Sequence, residues 1–329
     1  MRRALVVLAV LVACDRHRGG PPAPATSANV AAGAASAATG PATGAAPLAG
    51  SAAPLAGGTP CPGDGAAASA AGPTGVPVAC AQYDSPADAM KAALTGDPRV
   101  IAVGEAHAPK GATAPSAAKR FTEDLLPLLA GRASDLLVEL MMPPKGCADA
   151  AAEVRQKQAP ATSQQAPTNQ NEYLAMGDRA HALGIVPDML RPSCADMDGV
   201  RDAGDGAIEA SLEMIARLST VQAGRLVDRD ALTDADRGKA VVVYGGMLHN
   251  DLDPPPERAK WSYATALDAK TGGKLVAIDL VVPEFILDDA TWRGFPWFAR
   301  YDRARLGART TLFRVGEKSF VLVFPETRR

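Results

Sequence analysis

Charge of one sign is what this 329-residue chain most clearly lacks: 34 Lys and Arg face 36 Asp and Glu, for a formal net charge of −2. Nucleic acid as a partner requires a basic face, and the composition offers none. Aromatic residues are also scarce. Three Trp and five Tyr are too few to build stacking platforms for bases. No Cys-x-x-Cys occurs, which argues against a zinc ribbon or knuckle, and without Cys-x-x-Cys-His there is no covalent haem attachment. Gly-x-Ser-x-Gly is missing, so a serine nucleophile elbow is not supported, and His-Glu-x-x-His is missing, which removes the common zinc-protease helix.

What is present begins at the N-terminus. Arg2 and Arg3 precede the apolar run Ala4 to Val12. That run is far shorter than the roughly 20 residues a spanning helix needs, and with its basic flank it reads as a secretory signal. It ends in Leu11-Val12-Ala13-Cys14, which resembles a bacterial lipobox. Residues 1–13 are therefore expected to be a signal peptide, and Cys14 is the expected lipidation site, holding the chain to a membrane surface in the cell envelope, on its periplasmic or outer side. From Gly19 to about Pro77 nearly every residue is Ala, Gly, Pro, Ser or Thr, and Ala-Pro-Leu-Ala-Gly occurs twice, from Ala46 and from Ala53. Such a stretch cannot bury enough apolar surface to offset its ordering entropy, so residues 14–77 read as a lipidated, disordered linker.

Residues 78–329 have the composition of one folded domain. Short apolar runs at Val100 to Val103, Asp135 to Leu140, Gly184 to Leu190, Ala240 to Tyr244 and Lys274 to Val282 read as strands. Helical spacing lies between them, at Ser116 to Ala130 (offset by Pro127), Asn171 to Leu183, Asp205 to Val227 and Trp261 to Lys270. Alternating strands and helices predict an α/β fold with a largely parallel sheet flanked by helices. Thr310 to Val315 and Ser319 to Phe324 flank Gly316-Glu317-Lys318 and predict a C-terminal antiparallel hairpin. With Cys14 set aside, four cysteines remain. In an exported protein the simplest pairing is Cys61–Cys80 and Cys147–Cys194.

In parallel sheets ligands bind beyond the carboxyl ends of the strands, so those positions carry the functional expectation. Glu105 and His107 follow the first strand, Glu139 ends the second, Asp188 and Arg191 close the third, and His249 follows the fourth after Gly245-Gly246. Only four histidines occur. His17 lies in the linker and His181 in a helix, so both of the others follow strands. Each residue also has a structural reading: Glu105 as a helix cap, His107 in a loop, Glu139 paired with an arginine, His249 in a turn. Convergence of all four would instead suit proton transfer or a metal, with His107 and His249 as ligands. Arg191 could bind a ligand carboxylate, and Tyr244 could serve as a haem ligand alongside the histidines.

Three blocks, Val100-Ile-Ala-Val-Gly-Glu-Ala-His107, Leu136-Leu-Val-Glu-Leu140 and Val241-Val-Val-Tyr-Gly-Gly-Met-Leu-His249, resemble the erythromycin esterase and ChaN-like superfamily. The nearer branch is the ChaN-like haem-binding lipoproteins. Glu105, His107, Glu139 and His249 match its motif. His107 is followed by Ala108-Pro109, where a polar residue is more usual, and no polar residue separates Gly246 from His249. For that branch the resemblance implies a membrane-anchored lipoprotein that binds a small-molecule ligand, haem, iron or another divalent metal. For the esterases it implies hydrolysis of an ester, or metal-dependent hydrolysis in distant relatives. A non-catalytic envelope scaffold is the third expectation.

Overall fold

Residues 55–62 and 78–327 are described by a computed structural model. The expected signal peptide, Cys14 and most of the expected linker lie outside those residues. In chain order the strands and main helices are β1 (Thr59–Pro60), β2 (Ala79–Tyr83), α1 (Pro86–Ala93), β3 (Val100–Glu105), α2 (Ala117–Arg120), β4 (Ala133–Met141), α3 (Ala148–Thr162), α4 (Asn169–Ala182), β5 (Val186–Leu190), α5 (Cys194–Asp202), α6 (Ala207–Leu232), β6 (Ala240–Gly246), α7 (Ala264–Lys270), β7 (Leu275–Val281), α8 (Ala290–Arg293), α9 (Arg303–Leu306), β8 (Thr310–Arg314) and β9 (Ser319–Val323).

The nine strands of the described residues join one sheet in the order β1-β2-β8-β9-β7-β3-β6-β4-β5. From β9 to β5 the neighbours are parallel, and β1, β2 and β8 pair antiparallel at the other edge. The fold is thus α/β with a largely parallel sheet and a C-terminal β8–β9 hairpin, as the alternation of elements implies. The strands at the centre lack alternation because both faces are covered. On one face Ile101, Val103, Leu136, Val138, Val242 and Tyr244 pack beneath Met90, Phe121, Leu125, Tyr173 and Met176. On the other, Val100, Ala102, Leu137, Val241 and Val243 pack against Val154, Val200, Leu212, Ile215 and Leu267. Each such aliphatic side chain stabilises by about 1.5–3 kcal/mol relative to exposure.

Pro127 has the effect expected of it. Helix α2 passes into a π turn at Phe121–Leu125 and a tight 3-10 turn at Leu126–Leu129, because proline has no N–H to continue the ladder. The sequence reading places no helix at α1, α3 or α5: α3 carries little apolar periodicity, and α1 and α5 are only 8 and 9 residues long. Ser193 and Asp196 start α5 with reciprocal side-chain-to-backbone bonds.

The linker boundary needs correction. Residues 55–62 lie inside the span read as disordered, yet β1 pairs with β2, Leu55 packs on the core and Cys61 is buried. The Cys61–Cys80 disulfide, with Cα atoms 5.5 Å apart, explains why so short a strand is held. The second disulfide, Cys147–Cys194, with Cα atoms 5.6 Å apart, joins the approach to α3 to the first residue of α5. Both expected pairs are therefore formed. Among the described residues no helix is long and apolar enough to cross a membrane.

Candidate active site

The site is assembled where β3, β4 and β6 end. Tyr244 lies beside Val103 and Val138, and Glu105 lies beside Gly246. Successive side chains alternate between faces, so Glu105 and Tyr244 share one face of the sheet. Glu105 is 1 % exposed and its carboxylate is fully engaged. Its Oε1 meets His107 Nδ1 at 2.6 Å and accepts from the Tyr173 hydroxyl at 2.7 Å, while its Oε2 accepts from the Tyr244 hydroxyl at 2.8 Å. Donation of the Nδ1–H to Glu105 fixes the imidazole's orientation and leaves Nε2 as its basic atom. That Nε2 is buried and has no protein partner.

Glu139 approaches from the opposite face of β4, alongside Leu137. It crosses the end of β6 because Gly245 has no side chain: a Cβ there would stand 2.3 Å from Glu139 Oε2. That oxygen accepts from the Gly246 N–H at 2.7 Å, and Oε1 is left buried without a hydrogen-bond partner, 4.0 Å from His249 Nε2. His249 is held by its other nitrogen, Nδ1, which lies 2.6 Å from the Trp261 carbonyl oxygen. A Cβ on Gly246 would lie 3.7 Å from both His107 Nε2 and Glu139 Oε2 and 3.8 Å from His249 Cδ2. One small bound group can therefore be reached by both imidazoles and by Glu139.

The electrostatics follow from burial and pairing. Burial alone would depress the His107 pKa, but the adjacent Glu105 carboxylate, the bond to it and the charge of Glu139 together raise it above the ordinary value. Burial would raise Glu105, yet His107 and the two tyrosine hydroxyls hold it below the usual carboxylate range. Burial, followed by the charge of Glu105, pushes both tyrosines well above their ordinary value, so they remain protonated donors.

Four expected residues thus come together, and two others take different places. Tyr244 is present, but its hydroxyl is committed to Glu105, which removes it as an axial ligand. Arg191 is outside the cluster: it pairs with Asp188 at 2.7 Å beyond edge strand β5, with its side chain 65 % exposed. His181 is an exposed residue of α4, as expected for a helical histidine. Tyr173 and the Trp261 carbonyl are additions that no motif marks. Among the described residues no three His, Cys, Asp or Glu side chains are placed to hold a metal ion together. The pair expected as ligands, His107 and His249, does not form such a group. The chain matches no protein-family model, and neither a curated protein nor a solved structure is detectably similar to it.

Proposed function

We propose that Glu105, His107, Glu139 and His249 form the active site of a hydrolase that adds water to an ester or a related acyl bond, in a domain tethered to a membrane through lipidated Cys14. The observation that carries this reading is the unpartnered Nε2 of His107, in an imidazole whose other nitrogen is fixed by a buried carboxylate. Such a nitrogen is a general base awaiting a proton donor. In the proposed reaction His107 Nε2 takes a proton from water, and the hydroxide attacks the acyl carbon. The tetrahedral intermediate then expels the alcohol, which receives the proton back from the imidazolium. Glu139 Oε1 and His249 Nε2 hold the water and the leaving oxygen. Glu105 touches only protein groups and is a positioning residue. The resemblance to the esterases supports the same assignment. Haem binding fits less well, because the Tyr244 hydroxyl is already engaged by Glu105 and the space shared by both imidazoles is that of one small group. The experiment is a panel of esters and amides offered to the purified domain, with haemin titration alongside. Hydrolysis that requires His107 supports the proposal, and a haemin absorption band without any hydrolysis overturns it.

The pH profile tests the role of Glu105. The base works only when neutral, so kcat/KM should rise with pH through the His107 pKa, which lies above imidazole's usual value of about 6.5. Glu105→Gln removes the main charge favouring the imidazolium while burial still opposes it, so the rising limb should move to lower pH. An unmoved limb would show that His107 is not the titrating base.

The anchor has its own test. Cys14→Ser should release the protein from the membrane fraction into the soluble one. Retention after a carbonate wash would remove the lipid anchor from the proposal.

A further inference from the structure

A cavity of about 500 Å³ opens beside the 247–250 turn, and none of Glu105, His107, Glu139 and His249 lines it. Its floor is Asp279 of β7, with Ala277 and Val321 beside it; its walls come from the loop after His249 and from Phe295 and Trp297. The volume lies within the range of small-molecule sites.

Charge singles this cavity out. Asp251, Asp253, Glu257 and Asp279 line it, against one base, Arg258. Elsewhere the buried acids each face a basic side chain: Glu105 and Glu139 face histidines, and Asp135 and Asp230 share Arg229. Asp279 has no such partner. Its hydrogen bond is from the neutral Asn250 amide at 2.9 Å. Burial, with the Asn250 bond opposing and the Asp251 charge adding, pushes its carboxyl up to about 7. The carboxylate is half-buried, one edge of it covered by the fold and the rest facing the cavity, and a charge so placed favours a ligand that brings the opposite one. Two further lining residues have unmet polar atoms. Asn250 is 1 % exposed and Trp297 0 %, yet Asn250 Oδ1 and the Trp297 indole N–H have no protein partner.

We propose that this cavity binds a small organic cation, an amine carried on an apolar or aromatic body. Its ammonium would pair with Asp279, and its body would lie against the half-exposed ring of Phe295, which Trp297 backs from the core and which favours a cation and an apolar group alike. The site is separate from the proposed hydrolytic centre, and neither assignment depends on the other.

The test uses benzylamine, with benzyl alcohol as the neutral isostere and benzoate as the anion, each titrated into the domain at pH 8 by calorimetry and tryptophan fluorescence. Benzylamine should bind saturably, at least tenfold more tightly than benzyl alcohol, and benzoate should not bind. Asp279→Asn, which keeps the side chain's shape, should weaken benzylamine at least tenfold, and Asp251→Asn should weaken it less. His107→Gln should leave its affinity unchanged. Benzylamine affinity should also fall as pH drops through about 7, where Asp279 takes up its proton. Equal binding of amine and alcohol, affinity unchanged in both aspartate variants, or no saturable binding of benzylamine would each overturn the proposal.

Discussion

Replacing His107 with glutamine should lower kcat/KM by about 10²–10⁴-fold on the best substrate of an ester panel, the range a positioned general base contributes. Glutamine occupies similar space and can still donate to Glu105, but it cannot take a proton from water. The substitution also leaves Glu105 without its imidazole partner, although the Tyr173 and Tyr244 hydroxyls continue to donate to it. Some stability is therefore lost, and activity must be compared per folded molecule at a temperature well below the transition. His249→Gln should cost less, because its Nε2 stands 4.0 Å from Glu139 and its ring is held by a backbone carbonyl. Activity within threefold of the parent in His107→Gln would exclude this imidazole as the base.

Removing the Cys147–Cys194 bridge should destabilise the domain by about 4 kcal/mol, because 47 residues of sequence separate its ends and the cross-link restricts the unfolded chain. For a domain of this size that corresponds to a fall in Tm of about 10 °C, measured by thermal unfolding of the Cys147→Ser, Cys194→Ser double variant. The Cys61–Cys80 bridge spans 19 residues and should contribute about 3 kcal/mol. The larger loop also holds α3 and α4, and α4 carries Tyr173 to Glu105. Loss of the bridge should therefore loosen the hydrogen bonding of the site as well as the fold. An unchanged Tm would mean that the unfolded chain is already restrained in that region.

The central strands were legible because residues such as Ile101, Val103, Val241 and Val243 are covered on both faces and leave an uninterrupted apolar signature. The carboxyl ends of β3 and β6 followed directly, and Glu105, His107 and His249 with them. Glu139 was legible by position but not by route. It lies on the far face of β4, and its crossing depends on the absence of a Cβ at Gly245, a fact of packing that no spacing encodes. Tyr173 was hidden because a tyrosine in a helix is usually core, and only the tertiary placement of α4 gives its hydroxyl a partner. Arg191 was misplaced for the opposite reason. Its strand end is on the correct side of the sheet, but β5 is the edge strand, where the side chain turns to solvent and to Asp188. Asp279 sits inside the apolar run of β7 and carried no sequence signal, because its significance lies in the cation it lacks.

The closure of Cys61 on Cys80 makes the segment between them part of a covalent ring. A protease that nicks the chain inside that ring severs one peptide bond but leaves both pieces joined through sulfur. Everything preceding Cys61 would then stay fastened to the sheet edge until a reductant opened the bridge. Under the proposed anchoring through Cys14, shedding of the domain by a cut in this segment would require two chemical events of different kinds, whereas a cut before Cys61 would release it in one.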